Sequence, residues 1–500
     1  MTLSSIKEHN TATALAAKLA RKNRFTFALI FFLLLGVISI SLFHFDLYFP
    51  IGLSIALMGI IIMFYLNQLK KDHIGLVSFI ILGMYMIPFI HILPYIWFDF
   101  ESEPFILGLV IIPDKKIIEL TAMLCVTGTA GMAFSASLFN IPLIRDNGFN
   151  PDKTRRLFKS MNFLIWIFWL CVGLFFSITS APGGSFFESQ YFGKTTIDQN
   201  WNFDSSWMVS YIILTFIYAD ALLDVKSTQK YLKKFLIFAS IAFILIKLQL
   251  LAGSRESLAW IFGLLLVYYY WATFFLTNKK TTKSFWIKTV ILIFIIAFIS
   301  MVIGFIRSEV SGGDLNMAKE LLSKKFSDGS LSLSYMFYGT WSSSLLTVLS
   351  VTEDYIYGIS QMKLGKDYLN IFLSLSPGFV ADFFDYVRPL TNIKGPAYEM
   401  RYGQGGTHAA VLPFTNFGMV GVFIIPALWS YIILRLENSA IIQFSVINLS
   451  LLVTLVMASP HFLWYAEKTG INAIIIFFIL SFFYKISLRL SSNIKNQKGL

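Results

Sequence analysis

The sequence predicts an all-α polytopic membrane protein, and three observations predict that class. The 500-residue chain is 56% hydrophobic and only 14% charged, whereas a soluble domain carries about 25% charged residues. Its apolar residues form long runs, and a helix needs about 20 of them to cross a ~30 Å hydrocarbon core. Its basic residues concentrate at alternate ends of these runs, which is typical of cytoplasmic loops.

About twelve apolar runs are predicted to be transmembrane helices. They lie near residues 25–43, 50–68, 74–93, 117–139, 160–179, 207–224, 235–252, 258–276, 286–306, 416–434, 444–459 and 470–488. The first run follows a basic tail, is long enough to span and lacks a small-residue cleavage site. We therefore predict an uncleaved anchor there and not a signal peptide.

The placement of lysine and arginine predicts the orientation. Cytoplasmic loops retain these residues, and with the N-terminus inside most of the 40 basic residues fall on the inner side. The short outer loops hold only Lys115, Lys116, Lys194, Arg255 and Lys468. Both termini are therefore predicted to be cytoplasmic. The net charge of +12 is largely this orientation signal, so it does not indicate a nucleic-acid partner.

One long outer loop separates spans nine and ten. The predicted order is a cytoplasmic tail at 1–24, spans one to nine within 25–306, the outer loop at 307–415, spans ten to twelve within 416–488 and a cytoplasmic tail at 489–500. Inside the loop, the apolar stretches 331–351 and 368–384 are interpreted as amphipathic or re-entrant elements on the outer surface. The alternative that both stretches cross the membrane stays open, because two extra crossings would leave the C-terminal tail on the cytoplasmic side.

Polar residues and glycines gather where the outer loop enters span ten. The stretch GPAYEMRYGQGGTHAAVLPFTNFG, residues 395–418, offers Glu399, Arg401, Tyr402 and His408. Its glycines permit tight turns or positive φ beside a ligand. His408 is the leading candidate for a general base because its pKa lies near neutrality, and Glu399 is the competing candidate. The alternative is a flexible lead-in with an incidental histidine.

Arginines recur on the same predicted side. In LLAGSRESLAW, Ser254 is placed to cap span eight, so Arg255 lies at a helix N-terminus whose backbone N–H groups suit an anion. Arg307, Arg388 and Arg401 lie on that side as well. A planar guanidinium holds two phosphate oxygens at once, so the four side chains are candidates to bind a pyrophosphate. Singly, each is explained as well by an interfacial arginine that snorkels to lipid headgroups.

Other classes of site have weaker signals. His461 and Glu467, between spans eleven and twelve, are weaker candidates for acid–base chemistry. Cys125 and Cys171 lie within apolar runs and offer neither a disulfide framework nor a metal cluster. The sequence contains no Walker loop, dinucleotide glycine fingerprint or HExxH motif. It therefore predicts chemistry outside the cytoplasm that uses no ATP, no cofactor and no metal, with the energy supplied by the substrate.

Three short stretches together resemble a known family. They are the GSRE turn from Gly253 to Glu256, the loop stretch LGKDYLNIFLSLSPGFVADFFDYVRP, and GGTHAAVLPFTNFGMVG from Gly405 to Gly421. With the long outer loop, they resemble the bacterial O-antigen polymerases, which are Wzy-type oligosaccharide repeat-unit polymerases. The resemblance in architecture covers the whole chain. Two features depart from the family pattern: Glu256 stands where glycine is frequent, and residues 409–415 lack an acidic residue before NFG.

The resemblance implies a GT-C-like fold and a glycosyltransferase of the bacterial inner membrane whose active site faces the periplasm. Such an enzyme moves a growing glycan from undecaprenyl pyrophosphate to the terminal sugar of a new undecaprenyl-pyrophosphate-linked repeat unit. The residues implied to bind pyrophosphate and substrate are Arg255, Arg307, Arg388, Arg401 and Tyr402. His408 or Glu399 would deprotonate the acceptor hydroxyl. The implied partners are the lipid-linked oligosaccharide, membrane lipid, a chain-length regulator and a repeat-unit flippase.

Two rival functions stay open on the sequence. An O-antigen ligase moves finished glycan to the lipid A core and also uses outer arginines and a loop histidine, so the acceptor distinguishes the two enzymes. A polysaccharide or lipid transporter is a different class, and twelve spans with inside termini are common among transporters. Transporters often contain internal repeats and carry their long connection in the middle of the chain on the cytoplasmic side. Here the long loop is late and outside.

Overall fold

The computed structural model describes fourteen continuous stretches of the chain. These are residues 25–68, 76–93, 105–106, 109–110, 114–138, 161–179, 207–224, 229–245, 343–359, 361–374, 383–385, 408–442, 445–461 and 467–497, with isolated positions between 287 and 327. Nearly all of the described residues are helical. The exception in regular structure is a small hairpin in which β1 (Phe105–Ile106) pairs antiparallel with β2 (Leu109–Val110).

Twelve helices lie in the described part of the chain, and they confirm the predicted all-helical class. They are α1 (Phe25–Phe45), α2 (Ile51–Gln68), α3 (Leu76–Ile92), α4 (Lys115–Leu138), α5 (Phe163–Thr179), α6 (Trp207–Leu223), α7 (Lys230–Leu245), α8 (Ser343–Ile356), α9 (Lys366–Ser374), α10 (Val411–Ile442), α11 (Val446–Ala458) and α12 (Lys468–Gln497).

Four of these helices are long and apolar enough to cross a membrane, namely α1, α4, the Val411–Leu436 part of α10 and the Lys468–Ser492 part of α12. Helices α2, α5, α6 and α11 contain shorter apolar segments. Such lengths and compositions are those of a membrane protein. The predicted run 258–276 lies outside the described residues, and the run 286–306 is described only at isolated positions.

Helix α4 lies at the centre of the bundle. Nearly all of its side chains from Ile117 to Ser137 are buried, and it packs against α2, α3, α8 and α10. Two glycines allow this packing, because a Cβ at Gly131 would collide with the Phe423 carbonyl of α10 and a Cβ at Gly128 would collide with the Tyr85 ring of α3. Small residues are typical of membrane helix contacts, where close van der Waals packing replaces the hydrophobic effect as the driving force.

Two buried threonine hydroxyls in α4 are satisfied locally. The hydroxyls of Thr121 and Thr129 each donate to a carbonyl one turn earlier, Ile117 and Cys125 respectively, at 2.8 Å. The Thr121 Oγ1 also lies 3.0 Å from the Oγ1 of Thr352 on α8. Polar groups with such partners are tolerated in an apolar bundle, since each avoids the cost of an unmade hydrogen bond.

Helices α8 and α9 belong to the predicted outer loop and differ in burial. Residues 345–352 of α8 are all buried against α3, α4 and α10. This helix of 14 residues is about 21 Å long, which is shorter than the ~30 Å hydrocarbon core. Part of the 331–351 stretch is thus inserted among helices and does not lie on the surface, because its apolar side chains are covered there. Helix α9 is amphipathic, burying Ile371 and exposing Leu369 and Phe372.

The bundle has two ends with different polar residues. The His408 end is named for the residue three positions before α10. Five segments come together there: the end of α3, α9, the start of α10, the 3₁₀ turn Ser459–His461 and the start of α12. At the Lys233 end, named for a residue near the start of α7, the end of α6 meets both the start of α7 and the second half of α12. The distance along α12 from Glu467 to Tyr484 is about 25 Å at roughly 1.5 Å per residue, so the two ends are well separated.

Candidate functional site

The structure describes one of the predicted site residues, His408. The other predicted residues lie outside the described part of the chain, and they are Arg255, Arg307, Arg388, Glu399, Arg401 and Tyr402. The roles predicted for those residues therefore stay predictions. The candidate site is built below from His408 and the side chains around it.

His408 is fully buried at the entry to α10. The backbone N–H of Ala410 donates to its Nδ1 at 3.0 Å, and the N–H of Val411 donates to its carbonyl oxygen at 2.9 Å. A neutral imidazole that accepts a hydrogen bond at Nδ1 carries its proton on Nε2. In this geometry the Nε2 atom of His408 is a hydrogen-bond donor.

Tyr85 of α3 packs edge-on against the His408 ring, with ring centroids 5.8 Å apart and an interplanar angle of 84°. Its hydroxyl donates to the carbonyl oxygen of Ala409 at 3.5 Å, which is long for an O–H···O hydrogen bond. Gly128 of α4 leaves the space that the Tyr85 ring occupies. The packing of α3 on α4 thus places a phenol beside the histidine.

Gly418 breaks α10 close to its start. Its φ of 63° and ψ of −154° are not helical, and they fall in a region that is essentially restricted to glycine. The break brings the first turns of α10 against Gly421, where a Cβ would lie 2.5 Å from the carbonyl oxygen of Pro413 and 2.7 Å from the Cβ of Phe417. The backbone conformation at Gly418 and the close packing at Gly421 therefore explain the two glycines of the NFGMVG pattern.

Asn416, in the same pattern, ties α10 to the turn before α9. The side chain is fully buried. Its Oδ1 accepts from the backbone N–H groups of Gly365 at 3.1 Å and Asp367 at 3.3 Å. Its Nδ2 donates to the Asp367 carboxylate at 3.1 Å and to the Leu412 carbonyl at 2.9 Å. One buried amide thus joins the LGKDY and NFG stretches, which are 49 residues apart in the chain.

Glu467 is a second buried acid–base candidate at the His408 end. It directly precedes α12 and is 1% exposed. The Tyr368 hydroxyl of α9 donates to its Oε2 at 3.5 Å, while its Oε1 has no hydrogen-bond partner within the described residues. Burial raises the pKa of the Glu467 carboxyl to about 8. This carboxyl therefore exchanges its proton near neutral pH.

Tyr85, Tyr368, His408 and Glu467 form what is called here the His408 cluster. Burial raises the pKa of Tyr368, and the negative charge of Glu467 and the nearby Tyr85 raise it further. Tyr85 also interacts electrostatically with Glu467 and touches the His408 ring. The cluster therefore combines a hydrogen-bond donor, two phenols and a proton-exchanging carboxyl, drawn from four segments of the chain.

The Lys233 end contains a second buried polar group. Lys233 is 1% exposed, and its Nζ lies 2.9 Å from the Asp224 carboxylate and 3.3 Å from the Asp220 carboxylate. Asp220 also accepts from the Met161 backbone N–H at 3.0 Å and from the Tyr484 hydroxyl at 3.2 Å. This ion group ties α5, α6, α7 and α12 together.

Three residues of the candidate site are absent from the sequence-based prediction, and a fourth is a weaker candidate in it. Tyr85 sits in an apolar run and carries no sequence signal that separates it from a core aromatic residue. Tyr368 lies in the LGKDY stretch but was not singled out, and Asn416 carries a signal as a polar residue at the start of an apolar run. Glu467 was ranked as a weaker candidate. Its signal is a carboxyl group directly before a span, where the membrane makes buried charge costly.

Within the described residues, no group of three or more His, Cys, Asp or Glu side chains is placed to hold a metal ion. Comparisons of the chain with protein-family models, curated proteins and solved structures found no match. A function for this chain has to be inferred from its own residues and geometry.

Proposed function

We propose that the chain is an O-antigen or related polysaccharide repeat-unit polymerase of the bacterial inner membrane. It transfers a growing glycan from undecaprenyl pyrophosphate to the terminal sugar of a new undecaprenyl-pyrophosphate-linked repeat unit. The observation that carries the proposal is the contact between LGKDY and NFG through Asn416. Two of the stretches that resemble O-antigen polymerases meet there, and they meet beside the buried His408 cluster.

The proposal includes a topology. About twelve helices cross the membrane, both termini are cytoplasmic and the His408 end faces the periplasm. The distribution of lysine and arginine along the whole sequence supports this orientation. The lipid-linked donor reaches the site between helices, and the acceptor sugar enters from the outer surface. The long loop between spans nine and ten, which contains α9, then forms one wall of the site.

The described geometry favours a particular role for His408. In the proposed reaction the acceptor hydroxyl attacks the anomeric carbon of the donor sugar, and undecaprenyl pyrophosphate leaves with the bonding electron pair. A donor at Nε2 of His408 suits an oxygen of the sugar or of the leaving pyrophosphate. Acting as the general base would require an unprotonated Nε2, a proton on Nδ1 and therefore the loss of the Ala410 hydrogen bond.

The remaining assignments of the proposal concern residues outside the described part of the chain. Arg255, Arg307, Arg388 and Arg401 would bind the pyrophosphate through paired N–H groups, and Tyr402 would contact the substrate. Glu399 stays an alternative base. The reaction needs no ATP, because the pyrophosphate leaving group supplies the driving energy.

A reconstituted reaction tests the proposed function. A strain that lacks the protein should accumulate lipid-linked single repeat units, and these lipids can be extracted and mixed with the purified protein. Gel electrophoresis and mass spectrometry should then show a ladder of glycans longer by whole repeat units. A ligase would add no repeats and would transfer glycan only when lipid A core is supplied. A transporter would leave the lipid-linked glycans covalently unchanged, and either result would contradict a polymerase.

A further inference from the structure

Glu467 differs from every other fully described carboxylate that lies deep in the bundle. Asp220 and Asp224 share the Lys233 ammonium, and Asp367 accepts from Asn416 and lies 3.1 Å from the Lys363 Nζ. The Glu467 carboxylate accepts a long hydrogen bond from a phenol and one from its own backbone N–H, and its Oε1 has no partner among the described residues. A buried polar atom without a partner is costly, and a catalytic role is one explanation for a fold that retains it.

The surroundings of Glu467 suit a group that must change charge. The phenols of Tyr368 and Tyr85 interact electrostatically with Glu467. The 3₁₀ turn that contains His461 packs against α3 and α12. The Tyr368 hydroxyl can donate to the carboxylate once the proton has left. Unlike the Lys233 end, no ammonium or guanidinium lies within ion-pair distance of Glu467 in the described part of the chain. The carboxyl is therefore not locked in its charged form.

We propose that Glu467 is the general base of the reaction, which rests on the proposed function. Its carboxylate accepts the proton of the acceptor sugar hydroxyl as that oxygen forms the new bond to the anomeric carbon. The bond from the anomeric carbon to the pyrophosphate oxygen breaks, and undecaprenyl pyrophosphate leaves with the electron pair. The protonated Glu467 then releases its proton to water, which restores the carboxylate.

Two further observations fit Glu467 in this role. His408, which packs against the Tyr85 ring, presents a donor and not an acceptor because its Nδ1 accepts from the Ala410 N–H. One residue can therefore hold an oxygen of the substrate while the other takes the proton. Glu467 also lies directly before α12, so its backbone is fixed by a long helix and its position does not depend on a loop alone.

The test compares Glu467→Gln, Glu467→Asp and wild type in the reconstituted reaction with extracted lipid-linked repeat units. Glu467→Gln keeps the shape of the side chain and removes its basicity. We expect its polymerisation rate to fall by about 100-fold or more, within the range that general base catalysis supplies, while binding of the lipid-linked substrate persists. Glu467→Asp should retain part of the rate. Glu119→Gln, at another buried glutamate near the start of α4, is the matched control and should polymerise normally.

The pH dependence of the polymerisation rate provides a second measurement, which would not change if the role of Glu467 were purely structural. Below the pKa of the base, the wild-type rate should rise about tenfold per pH unit, since only the carboxylate accepts a proton. The Tyr368 hydroxyl lowers the pKa of Glu467 by hydrogen bonding. Tyr368→Phe should therefore shift the rising limb of the pH–rate profile, where the rate increases with pH, to higher pH. The residual rate of Glu467→Gln should lack that limb.

The outcomes separate the two proposals. A wild-type protein that makes no ladder overturns both the polymerase function and the role of Glu467. A wild-type ladder together with a Glu467→Gln rate close to wild type, or an equal loss in Glu119→Gln, overturns the base assignment and leaves the polymerase function standing. A selective loss in Glu467→Gln with the shifted limb in Tyr368→Phe supports both.

Discussion

The two ends of the bundle bury carboxyl groups in opposite ways. At the Lys233 end, Asp220 and Asp224 surround one ammonium, and a phenol and a backbone amide complete the hydrogen bonding of Asp220. At the His408 end, Glu467 has no cation beside it among the described residues, accepts a long hydrogen bond from Tyr368 and one from its own backbone N–H, and has an oxygen without a partner among the described residues. Both ends lie in the same apolar bundle, so the difference does not come from the depth of burial.

The contrast separates carboxyl groups that hold helices together from one that is available for chemistry. A buried ion pair is not a large net source of stability, but breaking it leaves an uncompensated charge and is strongly destabilising. The Lys233 end is therefore expected to be sensitive to mutation for structural reasons. A carboxyl with an unused oxygen weakens the fold where it stands, and proteins retain such groups where activity requires them.

The largest expected effect is the loss of the ammonium at the Lys233 end. Lys233→Met should lower the free energy of unfolding by about 3–5 kcal/mol, because it leaves Asp220 and Asp224 buried without their counter-ion. Thermal unfolding of the detergent-purified protein measures this change. Lys234→Met, at the neighbouring and less buried position, should change the stability by less than about 0.5 kcal/mol.

A combined variant sharpens the same comparison. Replacing all three charges, with Lys233→Met, Asp220→Asn and Asp224→Asn, should recover part of the stability lost in Lys233→Met, since removing both members of a buried ion pair is far less harmful than removing one. If the triple variant were less stable than Lys233→Met, the interpretation of this group as a compensated ion pair would be wrong.

The next effect in size concerns the amide that joins α10 to α9. Asn416→Ala removes five hydrogen bonds of one side chain and leaves the N–H groups of Gly365 and Asp367 without that acceptor. The expected cost is about 2–3 kcal/mol. Hydrogen–deuterium exchange should become faster in residues 363–374, while the Lys233 end keeps its protection. Of these five bonds, Thr415→Val removes only the 3.4 Å contact of the Asn416 Nδ2 with the Thr415 hydroxyl and keeps the bonds to Gly365 and Asp367, so exchange in this segment should change much less.

The helices were predictable from the sequence for a physical reason. In lipid, the backbone has to satisfy its own hydrogen bonds, so a run such as 117–139 has helix as its main option, and α4 occupies Lys115–Leu138. The burial of α8 was not predictable in this way. Its sequence mixes apolar residues with serine and threonine, and such a pattern does not distinguish a stretch covered by neighbouring helices from one that lies on the membrane surface.

The candidate site was predictable only in part, because its contacts are non-local. His408 was found from its unusual position among glycines at the start of an apolar run. The Asn416 contact depends on a turn 49 residues away, and the position of Tyr85 beside His408 depends on the absence of a side chain at Gly128. Glu467 could be seen as a carboxyl next to a span, but only the structure shows that its Oε1 lacks a partner in the described part of the chain.

A smaller effect is expected at the break in α10, which positions the backbone that follows His408. Gly418→Ala should cost about 1–3 kcal/mol, because alanine rarely adopts a φ of 63° with a ψ of −154°. The measurement is again thermal unfolding. Gly59→Ala on α2 is the matched control, since no atom lies within 4 Å of the added Cβ, and its effect should stay within about 0.5 kcal/mol. Equal effects in the two variants would mean that the break does not require glycine.

The smallest effect is a pH dependence of stability that Glu467 gives to the His408 end. The pKa of Glu467 is raised from 4.5 to about 8 in the folded protein. Between these two values the folded state holds a proton that the unfolded state has released, so the contribution of Glu467 to stability is fully present below about pH 4.5 and is lost as the pH rises to about 8. One group changes the free energy of unfolding by at most about 1.4 kcal/mol per pH unit.

The Glu467→Gln variant should therefore lose less stability than wild type when the pH is raised from 6 to 7. Thermal unfolding of both proteins at the two pH values measures the difference, with Glu119→Gln as the control. Parallel curves for wild type and Glu467→Gln would show that the carboxyl is already ionised at pH 6, and the contrast between the two ends of the bundle would then lose its physical basis.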